Sequence, residues 1–378
     1  MKSKPNVLML IESSRESGRQ LIAGIADYAK HFGPWNFYWQ AQGLGSIASE
    51  LKQIQVDGIL ARDVVEIPDF IGKKIPTVIF NYSKKCSSDT GWATTDNLGI
   101  SRVVASHLIQ RGFRDFAFCG FSEYPWSVSR GEGFKKIIGE AGYEVNICLT
   151  AAADEAEHNQ EIMEWLLQLP RPVAVMAAND ELGRRIVSLC NQCGIRVPDD
   201  CAVVGVDNDL VVCGMSNPPL SSVSVDQHRS GYEAAAMLDK MMNGEEFEHY
   251  LIEAQAGELT VRQSSDIVAV DDLAVAKALE FIHQNGTRPL KVDDVVSISG
   301  VHRRSLEKRF RDHLSRSIQQ YCRESRAEYV AKILRESRMS LEEIAEQCGF
   351  PEASHLTRFF ISMRGEAPSK YRKRVLLS

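Results

Sequence analysis

Near the end of the 378-residue chain stands SLEEIAEQCGFPEASHLTRFFISMRGEAPSKYR, Ser340–Arg372. Laid against the upstream segment KVDDVVSISGVHRRSLEKRFRDHLSRSIQQY, Lys291–Tyr321, it reveals a period. Val292, Val295 and Gly300 meet Leu341, Ile344 and Gly349 at a spacing of 49 residues. Leu306, Phe310 and Tyr321 meet Leu356, Phe360 and Tyr371 at a spacing of 50, so one inserted residue after the glycine accounts for the change. The tail is an internal repeat of one unit.

Each copy reads as a short helix, a glycine turn and a second helix. Val295, Val296 and Ile298 in the first copy, and Ile344 and Ala345 in the second, supply a small inward face before the glycine. In the second helices, Leu306 with Phe310 and Leu356 with Phe360 stand at i and i+4 and make one buried stripe. Their opposite faces carry Arg303, Arg304, Lys308 and Arg311 in one copy, and Ser354, His355 and Arg358 in the other. This is the layout in which a second helix enters a DNA major groove, with units at about 291–314 and 340–363. The alternative is an ordinary helical hairpin with a solvated face, which a tandem pair on a basic background disfavours. Between the copies, QQYCRESRAEYVAKILRESR places Tyr321, Ala327, Val330, Ala331, Ile333 and Leu334 at helical spacing. About 18 residues at ~1.5 Å rise give ~27 Å, against ~34 Å between successive groove openings on one face of B-DNA. The spacing predicts a connecting helix that holds both reading helices against adjacent grooves.

Charge divides the chain at the same place. From Arg288 to the end there are 19 basic and 12 acidic residues, whereas the preceding part holds 25 and 38, within a net charge of −6. An acidic body with a basic tail points to nucleic acid at the tail, and the helix-turn-helix layout makes that double-stranded DNA.

In the body, short apolar runs such as NVLMLI, DGILAR, PTVIFN, DFAFCGF, VAVMAAN and CAVVGVDND alternate with amphipathic stretches. Such alternation predicts parallel sheets flanked by helices, and some 260 residues suffice for two such lobes around a hinge. Open α/β sheets bind ligands beyond the carboxyl ends of their strands. Those ends offer Glu12, Ser13, Ser14 and Arg15; Asp63; Asn81; Asn179 and Asp180; and Asp207, Asn208 and Asp209. The loop after DFAFCGF adds Trp126 and Arg130. Carboxylates, amides and guanidinium groups match sugar hydroxyls, and Trp126 or Trp92 could cover a sugar's apolar face. The competing readings are Asp180 as a helix cap and Asp207 as a turn residue.

Enzyme motifs do not support catalysis: GLG near Gly43 is too short for a dinucleotide fingerprint, and P-loop, H-E-x-x-H and G-x-S-x-G patterns do not occur. His107, His228 and His283 fall in helical contexts that suit structural roles. Nine scattered cysteines suit a reducing compartment. Cys190 and Cys193 form a C-x-x-C without a second pair, so a structural reading stands ahead of metal or redox chemistry, and neither metal nor cofactor is expected. No apolar run approaches the roughly 20 residues that span a bilayer, so a cytoplasmic protein with no membrane partner is expected.

SLEEIAEQCGF, then LTRFF, then APSKYR resemble the double helix-turn-helix domain of the AraC family of bacterial transcription regulators over roughly residues 271–371. That resemblance implies base reading from Arg304, Lys308, Ser354 and Arg358, with Arg303 and His355 on the same faces. The order YPWSVSRGEGF, AVMAANDELG, VVGVDND and LSSVSVDQHRSGYEAA resembles the sugar-sensing domain of the LacI family, related to periplasmic sugar-binding proteins, over most of residues 5–265. It implies that Arg130, Asp180 and Asp207 line an effector cleft. The expected fold is thus an α/β two-lobed periplasmic-binding-protein-like sensor, residues 1–265, followed by an all-α double helix-turn-helix domain, residues 266–378.

A LacI-like sensor followed by an AraC-like reader resembles xylose-responsive activators. This implies D-xylose as effector, RNA polymerase as a partner in activation, and a homodimer on paired operator half-sites. Response to another pentose or hexose, repression, and sensing of a protein partner remain the alternatives. The effector set is Ser13, Ser14, Arg15, Trp126, Arg130, Asp180, Asp207 and Asn208. A sugar is expected to bridge Asp207 and Asp180 on one lobe to Arg130 or the Ser13–Arg15 loop on the other, with residues 259–272 passing closure to the reader.

Overall fold

A computed structural model describes residues 4–39, 55–62, 75–80, 90–151, 155–245, 251–267, 272–286, 288–314, 316–337 and 339–377. Asp63, Asn81, the GLG segment, residues 268–271 of the expected linker and the His283 side chain lie outside the described residues. The chain divides into two compact units, residues 1–109 with 114–267 and residues 110–113 with 268–378.

The first unit contains, in chain order, strands β1 (Asn6–Leu10), β2 (Asn36–Trp39), β3 (Gly58–Arg62), β4 (Thr77–Phe80), β5 (Thr90–Thr95), β6 (Asp115–Phe121), β7 (Val145–Thr150), β8 (Val173–Ala177), β9 (Cys201–Asp207), β10 (Ser221–Val225), β11 (Leu251–Ala254) and β12 (Ala256–Thr260). Its helices are α1 (Glu16–Phe32), α2 (Asn97–Gln110), α3 (Pro125–Glu140), α4 (Glu155–Gln168), α5 (Asp180–Gln192), α6 (Leu210–Met215) and α7 (Gln227–Met242). Two six-stranded sheets result, ordered β11-β5-β4-β3-β1-β2 and β12-β10-β9-β8-β6-β7. Among the described residues the first is parallel throughout, and in the second only the β10–β12 pair is antiparallel.

Helices cover the sheets, which is why the central strands read as unbroken apolar runs. All five residues of β8 (VAVMA) and all four of β4 (TVIF) are buried. On the first lobe, α1 and α7 approach so closely that glycine is required at the crossing. A Cβ on Gly24 would stand 1.9 Å from the His228 carbonyl oxygen, and one on Gly231 2.2 Å from that of Leu21. Thus α7, which follows β10 of the second sheet, packs on the first lobe, and the chain crosses between lobes.

The second unit comprises α8 (Leu273–Asn285), α9 (Val292–Ser299), α10 (Arg303–Leu314), α11 (Ile318–Glu336), α12 (Leu341–Gln347), α13 (Ala353–Arg364) and α14 (Pro368–Leu377). The repeat is visible in its packing. Val295, Leu306, Phe310 and Tyr321 share one core, and Ile344, Leu356, Phe360 and Tyr371 share another. Phe310 meets Tyr321 edge to face at 5.8 Å and 81°, and Phe360 meets Tyr371 at 5.3 Å and 71°. The turn glycines Gly300 and Gly349 adopt φ of +74° and +65°, left-handed values that disfavour side chains. In the second copy, Ser340 and Glu343 form a reciprocal capping box at 2.6 and 3.2 Å.

Ile298 departs from expectation. It is 48% exposed, because the last turn of α9 rotates it away from the core that Val295 enters. The first core is completed instead by α8, whose Val275, Ala278, Leu279 and Ile282 are buried in it. Asp272 caps α8 by accepting from the Ala274 and Val275 N–H groups at 2.9 and 3.2 Å.

Candidate functional site

The carboxyl ends of the parallel strands of both sheets face a common cleft. The first lobe contributes Arg15 before α1, Arg62 at the end of β3, Thr95 at the end of β5 and Gln227 at the start of α7. The second contributes Trp126 and Arg130 from α3, Asn179 after β8 and Asp207 at the end of β9.

Arg130 is the centre of this lining. It is 3% exposed, donates from Nε to Asn97 Oδ1 at 3.2 Å and from Nη1 to the Ala178 carbonyl, and lies 5.1 Å from the Trp126 ring centroid. Burial lowers its pKa to about 10, while the charges of Asp207 and Asp180 pull it back up. It stays a cation with its fork partly committed to the protein. Asp207 is pushed above the ordinary carboxylate range by burial, against the opposing pull of Arg130, Arg62 and Arg15. A half-buried carboxylate facing three guanidinium groups, with an amide, a hydroxyl and an indole around it, can bind a small polyhydroxylated molecule through both donors and acceptors.

The other expected residues take different places. Arg130 lies on the second lobe with Asp180 and Asp207, not across from them, since α3 follows β6 of the second sheet. Arg15 therefore carries the cationic bridge from the first lobe. Asp180 borders the adjoining part of the cleft with Arg15, Asn179 and Asp207, and its carboxylate is committed to the protein, accepting from the Asp209 N–H at 2.7 Å, the Ser222 hydroxyl and the Cys213 thiol. Burial and then the charge of Asp207 hold its pKa well above the usual value. The cap of α5 is Asn179, whose Oδ1 accepts from the Leu182 N–H at 3.0 Å. Ser14 bonds to Glu12 and, with Arg19, Asp209 and Leu210, lines a separate depression, while the Ser13 carbonyl accepts from Arg19 at 3.1 Å.

Asn208 accepts from Arg262 at 2.9 Å and does not line the cleft. Asp207 and Asn208 have φ of +107° and +54°. Such conformations cost roughly 1–3 kcal/mol each in non-glycine residues, so the surroundings must hold this loop. Arg62, Thr95 and Gln227 were absent from the expected set, although the strand-end rule reaches β3, β5 and β10. His107 shares a hydrogen bond with Ser265 and His228 one with Asp27, and neither lines the cleft. Cys190 is buried and Cys193 is the C-cap of α5.

In the second unit, α10 and α13 turn polar faces outward. Arg303, Arg304 and Lys308, and Ser354, His355 and Arg358, are all exposed. Arg303 pairs with Asp293 at 2.9 Å and Glu307 at 3.0 Å, and His355 lies 3.3 Å from Glu352. Arg309 turns away from this face to Asp272 at 3.0 Å.

Residues 105–265 match the periplasmic binding protein-like domain family, and residues 295–374 match a helix-turn-helix domain family. The chain is 26% identical to the xylose operon regulatory protein of Haemophilus influenzae, covering 97% of each. It is also 26% identical to the protein of that name from Escherichia coli K12, over 97% of this chain and 96% of the other. A solved structure described as the xylose-binding transcription activator xylR aligns over 99% of both chains with a TM-score of 0.63 at 24% identity.

The chain is a helix-turn-helix transcription regulator with a periplasmic-binding-protein-like sensor. The matched helix-turn-helix domain of this regulator lies within its second unit. Among its described residues no helix is long and apolar enough to cross a membrane.

Proposed function

We propose that this regulator binds D-xylose in the cleft of its sensor and activates xylose-use genes in response. The observation that carries the reading is the buried Arg130 beside Asp207, facing Arg15 and Arg62 of the opposite lobe. Similarity along the whole chain to xylose operon regulatory proteins supports the choice of sugar. In this reading Arg15, Trp126, Arg130 and Asp207 contact the sugar, while Asp180 and Asn208 hold the loop that presents Asp207. Ser13 and Ser14 shape the entrance. The sensor occupies residues 1–265 and the reader residues 266–378.

Arg304, Lys308, Ser354 and Arg358 read bases, with Arg303 and His355 beside them on phosphates. The protein works in the cytoplasm as a homodimer on paired operator half-sites, and activation proceeds through RNA polymerase. Sugar binding stabilises the closed cleft, and residues 259–272 carry the change to the reader.

Thermal unfolding against a panel of pentoses and hexoses tests the reading. A sugar at 100 times its dissociation constant stabilises the native state by about 2.7 kcal/mol if it ignores the unfolded chain. A shift with D-xylose alone supports the assignment, a shift with another sugar replaces the effector, and no shift with any sugar removes the sugar reading.

A further inference from the structure

The segment that leaves the sensor is tied by one side chain to the loop that presents Asp207. Arg262 follows β12 and precedes Ile267, where the first unit ends. Its Nη2 donates to Asn208 Oδ1 at 2.9 Å and its Nη1 to the Leu220 carbonyl at 2.8 Å. Its backbone N–H donates to Ser221 Oγ at 2.8 Å, and that hydroxyl donates back to the Arg262 carbonyl at 2.9 Å. Just downstream, Ser264 donates to the Val203 carbonyl at 2.6 Å, so the exit segment lies against β9 and β10, the strands that flank the loop.

Asn208 is the neighbour of Asp207, and both have left-handed backbones. Consecutive non-glycine residues keep that conformation only where their surroundings fix it. Ser222 Oγ accepts the Asn208 N–H at 2.9 Å, and Arg262 fixes the Asn208 side chain. A guanidinium fork holds its two acceptors at a set angle, so a shift of the Asn208 amide reorients the fork and the backbone that carries it. A ligand that moves Asp207 therefore pulls on the exit segment through one hydrogen bond.

We infer that Arg262 is the positioning residue through which an occupied cleft changes the exit segment, with Asn208 as its counterpart on the Asp207 loop. The inference rests on the sensor reading above and adds the side chains that carry its signal.

The test uses the full chain, D-xylose as the probe and a DNA fragment selected from random sequence by the wild-type protein. In Arg262→Gln, the dissociation constant for D-xylose stays within about threefold of wild type, while the sugar-driven change in DNA affinity, fivefold or more between coupled sites, falls to about onefold. A parallel loss of sugar binding and DNA response makes Arg262 merely structural and overturns the inference. Should Arg262→Gln fail to fold, Arg262→Lys keeps the charge without the fork and is read the same way. Hydrogen exchange in Asn208→Ala supplies an arm that needs no sugar: amides of 263–267 exchange faster if the link carries motion, and unchanged exchange there overturns it. A wild-type protein that shows no thermal shift with D-xylose sinks the choice of effector, while the exchange arm still decides the Arg262–Asn208 link.

Discussion

Asp209 joins the two lobes of the sensor to each other: its Oδ2 lies 3.3 Å from Arg19 Nη2 and accepts the Glu16 N–H at 3.1 Å. Its Oδ1 meanwhile caps α6 through Val211 and Val212 at 3.0 and 3.2 Å, and its own N–H donates to Asp180. Arg15 and Glu181 make a second bridge at 3.2 Å. Since the Arg19 side chain is 42% exposed, solvent screening limits the ion pair to about 1 kcal/mol at most. Arg19→Ala is therefore expected to weaken effector binding by up to about fivefold and to increase the radius of gyration of the effector-free protein. Calorimetric titration and small-angle scattering check the two, and unchanged values in both exclude a role for Arg19 in closure.

The desolvated carboxyl of Asp207 predicts a pH signature. A carboxyl whose folded pKa is raised binds its proton more tightly in the folded chain, so its contribution favours the fold at low pH. That contribution is lost as pH climbs from the unfolded value of about 3.9 through the raised folded value. Asp207→Asn, which does not titrate, should gain stability relative to wild type over that rise. Urea midpoints across the window measure it, and a trend of opposite sign means that Arg130, Arg62 and Arg15 together outweigh burial.

The two reading units differ in charge. Residues Lys291–Leu314 carry six basic and four acidic side chains, and Ser340–Met363 one basic and four acidic. The first copy should supply most of the phosphate neutralisation. Arg303→Ala, where the side chain meets a phosphate, lowers the slope of log affinity against log salt by about 1. Ser354→Ala leaves the slope unchanged and relaxes sequence preference alone. Fluorescence anisotropy over a potassium chloride series separates these outcomes.

Separate cores behind the two copies predict separable damage. Phe310→Ala and Phe360→Ala each cost about 3–5 kcal/mol, and each should loosen its own copy first. In Phe360→Ala, hydrogen exchange is expected to rise in α12 and α13 before α9 and α10. An equal rise in both copies makes the unit a single cooperative block.

The repeat was legible because glycine, leucine, phenylalanine and tyrosine each perform one job twice, at turn, stripe and ring pair. Ile298 was misread by its apolar character: Val292, Val295 and Val296 stand at i, i+3 and i+4 on the inward stripe, and Ile298, at i+6, falls off it. Strand ends pointed to Arg15, Trp126, Arg130 and Asp207, all of which line the cleft. The lobe that holds Arg130 could not be read, because strand order along the chain does not say which sheet a strand joins. Asn179 and Asp180 are adjacent, both buried and both able to cap; only the donors around each separate their roles.

The helix α11 begins in one core, with Ile318, Tyr321 and Cys322, and finishes in the other, with Val330, Ala331, Ile333 and Leu334. Both ends are anchored, so the phase between the two reading helices is cast into the protein. One base pair added between the sub-sites turns the second through about 36° about the DNA axis, given some 10 base pairs per turn. Mutation can rewrite the letters of such an operator one at a time, but an insertion or deletion between its sub-sites puts one reader out of step at a stroke.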